Sequence, residues 1–323
     1  MVFKVTSLSP DNENDHTDII LPFQIEPHSL RGRFITLNTA ATTIIEKHQY
    51  PEPVAKLLME MLVLAPCLSS VLKYDGVFTL QVSGDGPVKT ILADITSNGD
   101  LRGYASFDKG LVEELNIEPG QQTPLPRLTG AGYIAFTVDH GNKGERYQGI
   151  VELSGSTLTD CTHAYFRNSE QLETVISLAV EHTASGGWKG AAIMIQRLAF
   201  SGGQDIPKGI TEDEYDEDWR NAAVMLGSCK PIDLKNNLTT PTRLLFQLFH
   251  ETGVRIFPTK PVRAKCRCSV EKVERLLRSL KSEEIDDMKV NGVISVKCEF
   301  CKTEKIYDDK SLVEIHKGVQ GNK

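Results

Sequence analysis

GVFTLQVSGDGPVKTILADITSNGDLRGYASF, residues 76–107, marks the point where the pattern of the chain changes. Upstream, PEPVAKLLMEMLVLAPCLSSVLK (51–73) places Val54, Leu57, Leu58, Met61, Leu62, Ala65, Leu68 and Leu72 at helical spacing. That apolar face is wide enough to predict a helix buried on most sides or shared with a partner subunit. Within 76–107 the apolar residues alternate instead, the period of a half-buried strand. Gly84-Asp85-Gly86-Pro87 and Asn98-Gly99-Asp100 divide the stretch into three strands. AGYIAFTVDHGNKGERYQGIVELSG (131–155) reads as a further hairpin, and DCTHAYFRNSEQLETVISLAVEH (160–182) as a helix and then a strand. WKGAAIMIQRLAF (188–200) completes a hairpin through Ser185-Gly186-Gly187, and NTAATTIIEKHQ (38–49) reads as a short helix. Runs of strands beside separate helices make residues 18–200 one α+β domain.

The 323 residues suffice for a large core and about two domains. Apolar content of 40% and charged content of 24% are those of an ordinary globular chain. A formal charge of −7 argues against a broad phosphate-binding surface. The most apolar stretch carries Lys56, Glu60 and Pro66, so no membrane span is expected, and the N-terminus lacks the apolar core of an export signal. A cytoplasmic location with reduced thiols follows as an expectation. Residues 1–17 are polar and acidic and read as a loose tail. Residues 201–264 read as a helical linker or hinge. An acidic helix in TEDEYDEDWRNAAVMLGSC is followed by a better one in TTPTRLLFQLFHETG, with Thr240 as cap, Pro241 at the first position and Gly253 past the end. Helices this short need a surface to dock on.

Four of the seven cysteines fall in residues 265–323: Cys266-x-Cys268 and Cys298-x-x-Cys301. In a reduced compartment, two close pairs suit one tetrahedral zinc ion bound by four thiolates. Ser269 is placed to cap a helix with Val273, Leu276, Leu277 and Leu280 on one stripe, and Ser282 a second helix ended by Asn291-Gly292. VISVKCEFCKTEKIY alternates like a hairpin with the Cys298–Cys301 knuckle at its tip, and SLVEIHK closes the module as a helix. A module this small has little core, so a metal staple is expected. The spacing fits a structural zinc site or a redox-active one. Lys265, Arg267, Lys297 and Lys302 flank the ligands, and positive charge favours the thiolate that oxidants attack.

CRCS, a helix, SEEI and then CEFC resemble the C-terminal module of the heat shock protein 33 family of redox-regulated holdase chaperones. DGPVKTILADITSNGDLRGYA, GAGYIAFTVD, ERYQGIVELSG, YFRNSEQLET, GGWKGAAIMIQRL and LLFQLFHETGVRIF resemble the other blocks of that family in the same order, from about Asp18 to His316. The resemblance implies a mixed α/β core domain, a helical linker and a small zinc-binding domain. It implies that Cys266, Cys268, Cys298 and Cys301 bind one zinc ion in a dormant reduced form. It further implies that oxidation forms disulfides Cys266–Cys268 and Cys298–Cys301 with loss of zinc. The active form it implies is a homodimer that holds unfolding client proteins without ATP, with no catalytic residues and no nucleic-acid or membrane partner. Lys305 departs from the pattern, standing where the family usually has an aromatic residue and leaving Tyr307 as the aromatic after the second pair.

Other readings of the residues are weaker. GAGYIA (130–135) with Glu152 fits a loose dinucleotide fingerprint, but the glycines lead into a strand rather than the helix that such a site needs. No Gly-x4-Gly-Lys-Ser/Thr occurs. A zinc-ribbon nucleic-acid binder is the alternative function; basic residues near the cysteines favour it, while the acidic total and the scarcity of aromatics oppose it. Cys67 and Cys161 read as packing residues, Cys161 despite the nearby His163, and Cys229 reads as structurally indifferent, open to oxidation only if the linker around it opens. His250 and His316 flank the module, whose ligand shell four cysteines already complete. Tyr165, Phe166, Ser169, Glu170 and Gln171 read as a helix end packed on the sheet, and EDEYDED as a solvated face.

Overall fold

A computed structural model describes residues 3–4, 18–26, 30–118, 120–141, 144–197, 211–235 and 239–317. The chain divides into two compact units, Met1–Ala264 and Lys265–Lys323.

The strands of the first unit are β1 (Phe3–Lys4), β2 (Ile19–Ile25), β3 (Leu30–Leu37), β4 (Val77–Gly84), β5 (Val88–Thr96), β6 (Asp100–Phe107), β7 (Gly132–Asp139), β8 (Tyr147–Glu152), β9 (Thr174–His182), β10 (Trp188–Gln196), β11 (Val254–Ile256), β12 (Lys260–Pro261) and β13 (Arg263–Ala264). Its helices are α1 (Thr39–Ile45), α2 (Glu52–Ser69), α3 (Lys109–Glu114), α4 (Leu125–Thr129), α5 (Leu158–Tyr165), α6 (Glu212–Ser228), α7 (Pro231–Lys235) and α8 (Pro241–Phe249). A seven-stranded sheet runs β1-β11-β2-β3-β10-β9 with β12 also on β2, and a six-stranded sheet runs β13-β6-β5-β4-β7-β8. The stretch 76–107 forms β4, β5 and β6 as an antiparallel meander.

Helix α2 lies between the sheets. Val54, Leu58, Met59, Met61, Leu62, Val63 and Leu64 are buried, and only the stripe of Pro53, Lys56 and Glu60 is half-buried, so its wide apolar face is covered within the chain. Gly190 allows the close approach to β10: a Cβ there would meet Met59 Cε at 2.6 Å and Val63 Cγ2 at 2.7 Å. Leu72 was expected on the buried face but lies beyond the end of the helix and is 42% exposed. On the other side of the seven-stranded sheet, α6, α7 and α8 close a second core, in which Phe23, Phe34 and Ile193 meet Trp219, Leu245 and Phe249.

Several expectations need correction. Part of the segment read as a loose tail is paired: Phe3–Lys4 adds to the open edge of β11. The EDEYDED run is not simply a solvated face. Tyr215, Trp219, Ala222 and Leu226 recur at helical spacing as a buried stripe, which carries α6 onto the sheet. Arg197 reinforces it, pairing with Asp216 and with Glu173 (2.8 Å) and lying over the Tyr215 ring at 4.5 Å. Helix α8 is capped as expected, Thr240 accepting from Arg243 N–H. The linker-like SGGQDIPKG (201–209) lies outside the described residues.

The second unit holds α9 (Val270–Ser279), α10 (Ser282–Asp287), the hairpin β14 (Val293–Lys297) and β15 (Glu304–Asp308), and α11 (Asp309–Lys317). Its core is Leu277, Ile285, Ile294, Tyr307, Leu312 and Ile315, with Val273, Leu280 and Val296 partly buried against them. Leu276, read as part of the buried stripe, is 60% exposed, because the stripe that docks runs through Val273, Leu277 and Leu280. Asn291 and Gly292 do not end α10, whose C-cap is Met288. Both have positive φ and form the two-residue turn between Val290 and Val293, which pair with each other.

Candidate metal centre

Cys266 and Cys268 lie on the extended segment that leads into α9. Ser269 caps that helix by accepting from Lys272 N–H, which fixes the direction of the segment just after Cys268. Cys298 and Cys301 lie on the tight turn joining β14 to β15. Cys298 N–H donates to Thr303 O, and Lys302 N–H donates to Cys298 O, both at 2.9 Å, with Lys302 at φ 56°. The alternation read from VISVKCEFCKTEKIY thus becomes a hairpin carrying both thiols at its tip.

The four sulfurs converge within 4.8 Å of one another. Cys266 and Cys298 are 3.7 Å apart, and Cys268 and Cys301 3.4 Å. A tetrahedron with zinc–sulfur bonds of about 2.3 Å has sulfur–sulfur edges of about 3.8 Å. The donor set and its dimensions therefore fit a single thiophilic ion. Cys268 is exposed and the other three are half-buried, so the cluster is open to dissolved oxidants.

The thiols do not behave alike. Desolvation, together with the neighbouring Cys301 and Cys266 sulfurs, pushes the Cys268 thiol up. Desolvation also raises Cys301, but contacts from Thr303, whose Oγ1 is 3.3 Å from the sulfur, and from the Cys268 and Cys298 sulfurs outweigh it and bring Cys301 down to about 6. Desolvation raises Cys298. Negative charge is thus favoured at Cys301 and resisted at Cys268 and Cys298. A divalent ion relieves that resistance.

The other cysteines stand apart from this chemistry. Burial pushes Cys67 up to about 12 and Cys229 up to about 11, and it raises Cys161 as well. His163 is no base for Cys161, since its Nε2 accepts from Ile176 N–H at 3.0 Å. His250 lies against Phe246 in the first unit. The glycines of GAGYIA lead directly into β7, the wrong geometry for a dinucleotide. The tyrosine and glutamate of YFRNSEQ do more than end a helix. Phe166–Glu170 is π-helical, and Glu170 accepts from Tyr165 and from Tyr147 (2.9 Å), bringing strand β8 into a cluster that sequence spacing does not reveal. Among the described residues, no helix is long and apolar enough to cross a membrane.

A family model described as Hsp33 protein matches residues 18–308. The chain is 36% identical over 305 residues to the 33 kDa chaperonin of Caulobacter vibrioides, an alignment covering 92% of this chain and 96% of that protein. It is 31% identical over 304 residues to the 33 kDa chaperonin of Pseudomonas fluorescens, covering 94% of each. Its fold is similar to the crystal structure of the heat shock protein 33 homologue of Thermotoga maritima, with a TM-score of 0.75 at 21% identity, covering 95% of this chain and all of the other.

Proposed function

This chain belongs to the Hsp33 family of chaperones, and from that premise we propose that it is a holdase governed by the redox state of Cys266, Cys268, Cys298 and Cys301. The observation that carries the reading is the convergence of these four sulfurs, within 4.8 Å of one another, on a unit with six buried core side chains. Bound zinc would join the thiolates into one cross-link, worth about 10–16 kcal/mol of apparent folding free energy in small zinc domains.

In the reduced form the cysteines hold the extended segment and the hairpin tip together. Oxidation pairs Cys266 with Cys268 and Cys298 with Cys301, which consumes every ligand. Each disulfide closes a loop of only a few residues and so restrains the unfolded chain little. The second unit then loses its fold. In the first unit, loosening of α6–α8 uncovers the outer sheet face with Phe23, Phe34 and Ile193, an apolar surface suited to unfolding polypeptides. The active species is a homodimer, works without ATP, performs no catalysis and acts in the cytoplasm on proteins unfolding under oxidative stress.

The test follows zinc content, free thiols and light scattering by a heat-unfolding client while the protein is treated with hypochlorite. Aggregation should be suppressed in step with zinc release and the loss of four thiols. Equal suppression by reduced and oxidised protein, or retention of zinc after oxidation, overturns the proposal. Salt-dependent binding to DNA or RNA would indicate a zinc-ribbon protein instead.

A further inference from the structure

Strand β3 presents opposite faces to the two cores. Leu30 and Phe34 face the layer of α6 and α8, while Ile35 and Leu37 face α2. Arg31 and Arg33 share the face of Ile35 and Leu37 by the strand period of two. Two guanidinium groups therefore continue an apolar layer. Arg33 is half-buried, and its donors meet only carbonyls: Nε and Nη2 donate to Ser70 O at 3.3 and 3.2 Å, and Nη1 to Gly32 O at 2.7 Å. Among the described residues neither arginine makes an ion pair. Burying the Arg33 guanidinium without a counter-ion is costly unless an anion meets it, and the exposed Arg31 beside it adds a second positive charge.

The space beside them is a cavity of about 190 Å³. Leu68, Phe78, Phe136, Val138, Phe166 and Leu172 supply its apolar walls, and the exposed Arg31, Leu72 and Tyr147 mark its open side. The π-helical turn Phe166–Glu170 builds one wall, a backbone irregularity of the kind concentrated at functional sites. Tyr165 stacks on Phe136 at 3.9 Å. Among the described residues, Glu170 is the one carboxylate lining the cavity, and it already accepts from both tyrosine hydroxyls. The uncommitted charge at the site is thus positive.

We propose that this cavity binds an amphipathic carboxylate, such as a medium-chain fatty acid, with its apolar body among the aromatic walls and its carboxylate on Arg31 and Arg33. Arg31 has its whole fork available, and Arg33 retains one N–H on each terminal nitrogen, so bidentate pairing is open to both. The YFRNSEQ motif, which plays no part in the thiol chemistry, then has a role as the wall and hydrogen-bonded latch of this site.

The test is isothermal titration of the full-length, reduced, zinc-loaded protein with sodium decanoate, with 1-decanol as the uncharged probe. Decanoate should bind saturably at one per chain, and decanol should not saturate. Arg31→Ala and Leu72→Glu alter exposed side chains, so their thermal transitions should match that of the parent while decanoate binding weakens about tenfold or more. The proposal is overturned by no saturable decanoate binding, by equal binding of decanol, or by full decanoate affinity in both variants. Binding of many decanoate molecules per chain would also overturn it, as general adhesion to apolar surface.

Discussion

Replacing Cys298 by serine isolates the contribution of one sulfur. Serine keeps two backbone bonds of the turn, since Cys298 N–H and O are bonded to Thr303 O and Lys302 N–H, but its shorter hydroxyl weakens the contacts that the sulfur makes with the Phe300 and Cys301 N–H groups. What is lost is the sulfur 3.7 Å from Cys266. If the ~10–16 kcal/mol of a small four-ligand zinc site is shared evenly, each ligand carries ~2.5–4 kcal/mol, so zinc affinity should fall by a factor of about 10²–10³. Competitive titration with a chromogenic chelator reads that factor directly. Limited proteolysis in the same chelator should cut the variant within 265–317 at concentrations that leave the parent intact, while the melting of the first unit stays in place. Parental affinity and parental protection in Cys298→Ser would refute the argument that the sulfurs hold this unit together.

Three further outcomes follow from the geometry. The Tyr307 hydroxyl is buried without a hydrogen-bond partner, so Tyr307→Phe should leave the second unit as stable or raise its stability by about 1 kcal/mol, read from its chelator-dependent melting. Arg197→Ala removes two carboxylate contacts and the stacking on Tyr215; α6 should become protease-sensitive, at a cost of about 1–3 kcal/mol, and aggregation suppression should appear partly without oxidant. Burial pushes the Glu60 carboxyl up to about 7 against the opposing charge of Lys56. A raised acid holds its proton longer in the native state, so the stability it contributes is full below about pH 4.5 and is lost as pH rises through 7. Glu60→Gln should therefore flatten the fall in unfolding free energy between pH 5 and 8, read from denaturant titrations, by at most about 3 kcal/mol, less what solvent screening removes at this half-buried site.

Local patterns carried much of this structure. The alternation in 76–107 and its two turns define β4–β6 because neighbouring strands there are neighbours in sequence. The caps Thr240 and Ser269 are equally local. Ile19–Leu37 is harder to read: β3 pairs with β10, far along the chain, and Arg31 and Arg33 interrupt its inward face. Tyr215 and Trp219 are masked by the acids around them, though their four-residue spacing was a usable signal. Asn291-Gly292 is a strong turn signal that also resembles a helix cap, and only strand pairing distinguishes the two. The cysteine pairs were legible in spacing, but their convergence depends on a hairpin and a helix cap that bring distant segments together.

The position of α2 between the two sheets also has a consequence for the order in which the protein can be made. Strands β4–β8 are complete once the ribosome has passed Glu152, but the opposite cover of α2 awaits β10, which ends at Gln196. At ~5–20 residues per second that interval lasts about 2–9 s. During it, Met59 and Val63 have no Gly190 to lie against. A nascent chain of this length is itself a sticky intermediate, and its own synthesis is the first occasion on which it needs shielding.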